Sequence, residues 1–249
     1  MSALVLALVA GAVIGLALGA LGGGGSVLAV PALIYLLGST PVEAATASLV
    51  IVAFTSVAAL PAHARDGRVR WWTGMLFAAA GIGPAMLGGA LAGRLPETAL
   101  TAAFAAVAAA AALRMLRARP LADTVVPVRP GRAAAAGAGL GAVTGVLGVG
   151  GGFLAVPALV GVLGLRMREA VGTSLLVVTV NSLAALAMRT GTLDTLDWAV
   201  VGPFAGAAIL GAWDGKRLAA KVSGGTLQRI FAMVLLTVAA LMLLDAVMT

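Results

Sequence analysis

The sequence has no cysteine and a single histidine, His63. Without cysteine there is no disulfide framework and no thiolate for metal or redox chemistry, and one histidine is too few for a histidine-rich metal site. The P-loop, the nucleophile-elbow serine motif and metal-ligand spacings are also missing. We therefore expect no cofactor, no bound metal and no enzymatic activity.

Charged residues are scarce too, at 10% of 249 residues, whereas 61% are hydrophobic and the mean hydropathy is +1.11. A water-soluble domain is nearer half apolar and a quarter charged, and it would have no way to hide this much apolar surface. The composition indicates an integral membrane protein with the lipid bilayer as its solvent. The net charge of +7 is then explained by basic cytoplasmic loops, and no nucleic acid partner is expected.

The first basic residue is Arg65. A secretory signal peptide begins with a positively charged region, so the apolar start of the chain is expected to be a retained helix.

The two halves of the chain repeat at a constant offset of 126 residues. The segment GALGGGGSVLAVPALIYLLG at 19–38 matches GVLGVGGGFLAVPALVGVLG at 145–164. Further identities at this offset are Glu43/Glu169, Ser48/Ser174, Ser56/Ser182 and Trp72/Trp198. We divide the chain into a first repeat over 1–116, a cytoplasmic linker over 117–132 and a second repeat over 133–249. Such duplication is typical of secondary transporters.

Each repeat holds four apolar blocks. The first block, at about 3–37 and again at about 133–163, is interrupted by glycines at 22–25 and at 148–152. Because glycine weakens helices, we read each first block as a helical hairpin with a glycine-rich tip. The predicted fold is all-α: a polytopic membrane protein with two inverted repeats, each a glycine-broken hairpin plus three transmembrane helices.

The basic residues favour this inverted arrangement. If each hairpin makes no net crossing, 14 of the 16 basic residues fall on the cytoplasmic side and both termini lie outside. If each first block crosses the membrane once, the best orientation places only 9 inside. The positive-inside rule prefers the first topology. The expected location is the inner (plasma) membrane.

The paired motifs GALGGGGSVLAVPAL and GVLGVGGGFLAVPAL, each followed by a helix that starts near a glutamate, resemble those of the TauE/SafE family of membrane transporters. The resemblance covers both halves of the chain. It implies export or permeation of sulfite, sulfoacetate or another organosulfur anion, without specifying which. The tips differ, Gly-Gly-Gly-Gly-Ser in the first half and Gly-Val-Gly-Gly-Gly-Phe in the second, so the two sides of a site would not be chemically identical.

The glycine tips are the first candidate site for a small anion. A short helix is predicted to start after each tip, near Ser26 and near Gly152, and the free N–H groups of a helix start bind anions. The candidate residues are Gly24, Gly25, Ser26, Gly150, Gly151 and Gly152. The alternative is that such glycines only let helices pack closely, an interpretation that suits Gly11, Gly15, Gly19, Gly137, Gly141 and Gly145 better.

A second candidate set lies near the middle of the helices that follow the hairpins. Thr46 and Ser48 recur as Thr173 and Ser174, and nearer the middle of the helices Thr55 and Ser56 recur as Asn181 and Ser182. Polar side chains at mid-membrane usually face the protein interior. The alternative is a hydrogen bond between helices or to the carbonyl four residues earlier. Glu43, in the capping sequence Thr-Pro-Val-Glu, is read as a helix cap, and Glu169 as a partner of Arg166 or Arg168. His63 is read as a residue at a loop edge, with a proton-relay role as the alternative.

These observations predict a secondary transporter or permease that moves a small anionic sulfur compound, most simply outward. An anion channel and an importer of another small anion are the alternatives. Six crossings and two hairpins leave enough surface for a homodimer.

Overall fold

The computed structural model describes residues 2–92, 97–117, 128–146, 152–187 and 196–248, and every regular element in these ranges is a helix. In chain order the elements are α1 (Ser2–Leu21), a 3₁₀ segment (Gly22–Leu28), α2 (Ala29–Leu37), α3 (Pro41–Arg65), α4 (Trp71–Ala92), α5 (Glu97–Arg117), α6 (Pro130–Val146), α7 (Gly152–Gly161), α8 (Met167–Ala187), α9 (Trp198–Ala220) and α10 (Gly224–Met248). The all-α prediction is confirmed, although α6 begins inside the segment assigned to the linker.

Four of the described helices contain stretches long and apolar enough to cross a membrane. These stretches are Leu4–Leu21, Glu43–Arg65, Met167–Ala187 and Gly224–Leu244. Shorter apolar helical stretches occupy Gly25–Leu37, Trp71–Leu87 and Gly152–Gly161. The short ones include the return arms α2 and α7 of the two hairpins, as the glycine interruptions predict.

The helices of one half pack mainly against those of the other. α1 packs along α9, α4 along α6, α5 along α10 and α3 along α8. At the offset of 126 residues α1 corresponds to α6, α4 to α9, α3 to α8 and α5 to α10. Each hairpin thus packs on a helix of the opposite repeat, and the other two pairs join equivalent helices. A two-fold axis relating the halves produces this set of pairs.

Glycines create the close contact between α1 and α9. Gly11, Gly15 and Gly19 lie against the backbone of Phe204, Ala208 and Ala212 in that order. Because the contacts advance in the same direction along both helices, α1 and α9 are parallel. Gly137 and Gly141 of α6 contact the backbone of Phe77 and Gly81 of α4 in the same way. The packing interpretation of these five glycines is confirmed, since a Cβ at any of them would collide with main-chain atoms.

The hairpin arms end identically in both halves. Gly38 after α2 has φ of +68° and Gly164 after α7 has φ of +69°, a left-handed conformation that glycine adopts without strain. The Gly38 N–H donates to the Ile34 carbonyl, and the Gly164 N–H to the equivalent Val160 carbonyl. These are C-terminal helix caps at the same repeat position.

The basic loops meet at one end of the helix bundle. Lys216, near the end of α9, contacts Asp66 just after α3, and Arg70 before α4 contacts Glu169 at the start of α8. Towards the other end Gly11 of α1 lies against Phe204, in the second turn of the parallel helix α9. The first turns of α1 therefore lie at the end opposite to the basic loops, as the predicted topology requires.

Candidate functional site

The first hairpin turns at Gly22. This residue has φ of +67° and follows the last turn of α1, so the chain leaves the helix there. The tip continues as the 3₁₀ segment, and α2 begins only at Ala29. The sequence predicted an irregular tip and a helix start near Ser26, so the tip is more regular and the α-helix later than expected. The second short helix, α7, begins at Gly152 as predicted.

The first tip is fastened to α8 by a serine. The Gly23 N–H donates to Ser174 Oγ at 2.9 Å, and the Ser174 hydroxyl donates to the Val171 carbonyl at 2.8 Å. Within the tip, the Ser26 hydroxyl donates to the Gly23 carbonyl at 2.6 Å. A free N–H group at a helix start, which could hold an anion, is here satisfied by a neutral hydroxyl oxygen.

The two hairpins meet at Ser26 and Gly152. A Cβ at Gly152 would lie 2.6 Å from Ser26 Oγ, 2.9 Å from a methyl of Val178 and 3.1 Å from the Gly23 carbonyl oxygen. A Cβ at Gly23 would lie 2.6 Å from the same Val178 methyl. Val178 is near the middle of α8 (Met167–Ala187), so the hairpins meet at about half the depth of that helix.

The other tip residues have different surroundings. Gly24 lies in the 3₁₀ segment. Gly25 packs back on its own hairpin, because a Cβ there would collide with the backbone of Ala17 and Leu18 in α1. Gly150 and Gly151 lie outside the described residues. Of the six predicted tip residues, the structure therefore places Ser26 and Gly152 face to face and Gly25 against α1.

One face of α8 carries both the tip contacts and two candidate residues of the second set. Val171, Ser174 and Val178 contact the tips, and Asn181 and Ser182 follow Val178 by three and four residues. This spacing places all five on one side of the helix. Ser182 is buried. The Asn181 side-chain oxygen is buried without a hydrogen-bond partner among the described residues.

Thr55 and Ser56 on α3 are the equivalents of Asn181 and Ser182. Both are fully buried, whereas their neighbours Phe54 and Val57 are exposed, so the polar pair faces the protein interior. The Thr55 hydroxyl donates to the Ile51 carbonyl at 2.6 Å. This is the hydrogen bond to the carbonyl four residues earlier that we gave as the alternative to a site role. The Ser56 hydroxyl is buried and, in the part of the chain that is described, has no partner.

Three further polar residues have a defined role in the structure. Ser174, which the sequence grouped with Asn181 and Ser182 as the equivalent of Ser48, accepts the hydrogen bond from the first tip. Glu169 forms ion pairs with Arg166 and with Arg70 from the other half. Arg166 was one of the two predicted partners. Arg168 instead donates to the carbonyls of Ala220 and Val222.

His63 differs from its prediction. It is 2% exposed and not a loop-edge residue, because α3 continues past it to Arg65. Neither ring nitrogen makes a hydrogen bond of good geometry to a described residue, although the Gly19 backbone lies close to the ring. Glu43, in contrast, forms the predicted capping box with Thr40.

Apolar helices in two halves related by a two-fold axis, with a broken hairpin from each half meeting inside the bundle, define a multi-pass membrane transporter. A family model described as sulfite exporter TauE/SafE matches residues 7–242, and the chain belongs to this family. Two relatives from Xylella fastidiosa, each described as a probable membrane transporter protein, are similar over 95% of this chain and 93% of their own length. The relative from strain 9a5c is 34% identical and that from strain Temecula1 is 33% identical. No solved structure matches the chain.

Proposed function

We propose that this transporter moves a small sulfur-containing anion, such as sulfite or an organosulfonate, out of the cell across the inner membrane. The observation that carries the proposal is the meeting of the two hairpins at Ser26 and Gly152 beside the middle of α8. Broken helices at mid-membrane are where secondary transporters hold their substrates. The family description, sulfite exporter TauE/SafE, supports the substrate class and the direction.

The anion would be held by the tip N–H groups together with polar side chains of α3 and α8. The N–H groups of the first turn of α7 carry the positive end of a helix dipole, whereas the Gly23 N–H already donates to Ser174 Oγ. Ser56 Oγ is buried without a partner among the described residues, and such a hydroxyl is costly unless something else binds it. A hydroxyl and a side-chain amide both offer N–H or O–H donors to an oxyanion without adding charge.

Export fits the electrical gradient. With a negative cell interior, an anion leaves downhill by about 2.3 kcal/mol per charge per 100 mV, so outward movement needs no coupled ion. Inward movement of the same anion would need one. We therefore propose outward transport on two grounds, the electrical gradient and the family description.

The proposal is tested by flux into and out of proteoliposomes that contain the purified chain. Sulfite, sulfoacetate, taurine and sulfate are compared at equal concentration, with empty liposomes and taurine, a zwitterion, as controls. Saturable uptake of an anionic sulfur compound, stimulated by a potential that is positive on the trans side, is the expected result. Flux that is absent for all the anions would refute the substrate class, and an ohmic single-channel current would show a channel.

A further inference from the structure

One face of α3 and one face of α8 carry the same pattern of side chains. In each helix a serine, a valine and a second serine follow one another at intervals of four residues. The two sets are Ser48, Val52 and Ser56 in α3, and Ser174, Val178 and Ser182 in α8. Residues four apart lie on the same side of a helix, and all six are buried. Each helix therefore presents to the protein interior a polar row that is interrupted by one valine.

Val178 interrupts the row of α8 at the place where the two hairpins meet. One of its methyl groups lies beside both hairpins, since it would be 2.6 Å from a Cβ at Gly23 and 2.9 Å from a Cβ at Gly152. The hairpins also lie close to each other there, because a Cβ at Gly23 would be 2.5 Å from the Gly152 carbonyl oxygen. Val178 is 1% exposed, so its side chain is enclosed at this junction.

Val52 occupies the corresponding place on α3. Ser26 and Gly152 are equivalent residues that face each other, so the two-fold axis passes between them. Val178 lies close to this axis, and Val52, its equivalent, therefore lies close to it as well. The contacts agree, because the 3₁₀ segment of the first hairpin packs against α3 as well as against α8. The two valines, one from each repeat, form an apolar layer beside the junction, which we call the valine layer.

The serines lie on both sides of the valine layer. α3 ends at the basic end of the bundle, where Asp66 contacts Lys216. α8 begins at that end, with Glu169 in contact with Arg70, so the two helices run in opposite directions. Each serine is four residues from its valine, a rise of about 6 Å. The serines on the side of the basic end are Ser56 and Ser174, and those on the opposite side are Ser48 and Ser182.

The hydroxyl of Ser56 differs from those of two other serines in the rows. The Ser48 hydroxyl donates to the Ala45 carbonyl at 2.8 Å, and the Ser174 hydroxyl joins the first hairpin to α8. The Ser56 hydroxyl has no partner among the described residues. A polar solute that reaches the valine layer from the basic end would therefore find a hydroxyl there that is not already bonded.

An apolar layer between polar rows is a barrier to ions. Valine offers neither a hydrogen-bond donor nor an acceptor, so an anion that entered the layer would lose its water of hydration without replacement. Hydrophobic constrictions close channels to ions by excluding water in this way. The two rows are thus polar on either side of the hairpin junction and apolar at the level of the junction itself.

We propose that Val52 and Val178 form an apolar gate that closes the transport path at the level where the hairpins meet. The gate prevents other anions from leaking through the protein, and it opens for the substrate when the hairpins move away from the valine methyls. This inference rests on the proposed transport of an anion. The barrier itself, however, can be measured with chloride, which contains no sulfur.

The test uses the purified full-length chain in liposomes, with chloride influx reported by an enclosed chloride-sensitive dye. Val178→Thr replaces one methyl by a hydroxyl, which should admit water to the gate and raise chloride influx about tenfold over the unmodified chain. Val52→Thr should have the same effect. The matched control is Val177→Thr, since Val177 is equally buried beside Val178 but belongs to a different apolar cluster, and its influx should stay unchanged. Unchanged influx in both gate variants, or an equal rise in the control, would overturn the gate.

If Val178→Thr does not fold, Val178→Ala is compared with Val177→Ala. Loss of two methyls widens the gate and should raise chloride influx in the first variant only, and equal influx in the two would also overturn the gate. A chloride leak that depends on Val52 and Val178, combined with no flux of any sulfur anion through the unmodified chain, would retain the gate and refute the proposed function. Flux of a sulfur anion without a chloride leak in any gate variant would refute the gate alone.

Discussion

Ser26 and Gly152 occupy the same position of the two repeats and face each other where the hairpins meet. A Cβ at Gly152 would lie 2.6 Å from Ser26 Oγ, so there is room for one side chain and not for two. Equivalent residues touch only on a symmetry axis, and here the axis passes through the tips. The departure from symmetry, serine in one tip and glycine in the other, is therefore required by the packing.

Replacing Gly152 by alanine should destabilise the protein. The added methyl meets Ser26 Oγ, a Val178 methyl and the Gly23 carbonyl, and overpacking of this kind costs about 1–3 kcal/mol. The double variant Ser26→Ala/Gly152→Ala removes the closest of these contacts and should recover part of the loss in melting temperature. Gly161→Ala on the same helix, with no atom within 4 Å of its Cβ position, is the control. Additive effects of the two tip changes would argue against direct contact.

Ser174→Ala and Ser56→Ala should have opposite consequences. Loss of the Ser174 hydroxyl leaves the buried Gly23 N–H without its acceptor, at a cost of about 1–3 kcal/mol. The Ser56 hydroxyl has no partner among the described residues, so its removal should leave the melting temperature unchanged or slightly raised. If Ser56 binds the transported anion, Ser56→Ala should nevertheless reduce flux. Equal stability of both variants would contradict the assigned hydrogen bond.

The close packing of α4 and α6 gives a sharper comparison within one helix. A Cβ at Gly141 would collide with the Gly81 carbonyl, whereas one at Gly139 meets no atom within 4 Å. Gly141→Ala should therefore lower the melting temperature or prevent folding. Gly139→Ala should be neutral or stabilising, because alanine is the better helix former by about 1 kcal/mol. Similar melting temperatures for the two variants would show that these helices can separate without cost.

The sequence predicted the parts of this structure that repeat. The Gly-x-x-x-Gly spacing of Gly11, Gly15 and Gly19 recurs in the second half, and the structure uses these three glycines together with Gly137 and Gly141 for close packing. The capping box at Thr40 and Glu43 was predictable for a different reason, because its signature is local in the sequence.

What the sequence did not reveal depends on contacts between distant residues. The pairing of α1 with α9 follows from packing across the two-fold axis. The sequence of neither helix specifies which other helix it packs against. The bond from Gly23 to Ser174 joins residues 151 positions apart. His63 was assigned to a loop edge because Arg65 and Asp66 follow it, but α3 extends to Arg65 and packing buries the ring.

Asp66 should stabilise the protein at neutral pH and cease to do so in acid. Hydrogen bonding from Lys216, with Arg68 nearby, lowers the pKa of Asp66 below its ordinary value of 3.8. A lowered pKa in the folded state means that this stabilisation is present above the ordinary pKa and is lost as the pH falls through the lowered one.

Asp66→Asn should therefore reduce the melting temperature at pH 7, and the difference from the unmodified protein should shrink as the pH falls below 3.8 and vanish below the lowered pKa. Asp214→Asn is the control, since the Asp214 side chain is 68% exposed and such surface pairs contribute little. A difference between Asp66→Asn and the unmodified chain that persists undiminished in acid would show that the loss has another cause.

The topology can be tested with single cysteines, because the natural chain has none and gives no background. We propose that Ser39, between α2 and α3, lies outside the cell, and that Arg65 at the end of α3 and Lys221 after α9 lie inside. The argument combines the positive-inside rule with the contacts that bring Asp66, Lys216 and Arg70 to one end of the bundle. α3 is long and apolar enough to cross the membrane, so its two ends should be on opposite sides. A membrane-impermeant thiol reagent should label Ser39→Cys in intact cells, and Arg65→Cys and Lys221→Cys only after permeabilisation. The reverse pattern would invert the proposed orientation, and labelling of Arg65→Cys and Lys221→Cys from different sides would contradict the shared end of α3 and α9.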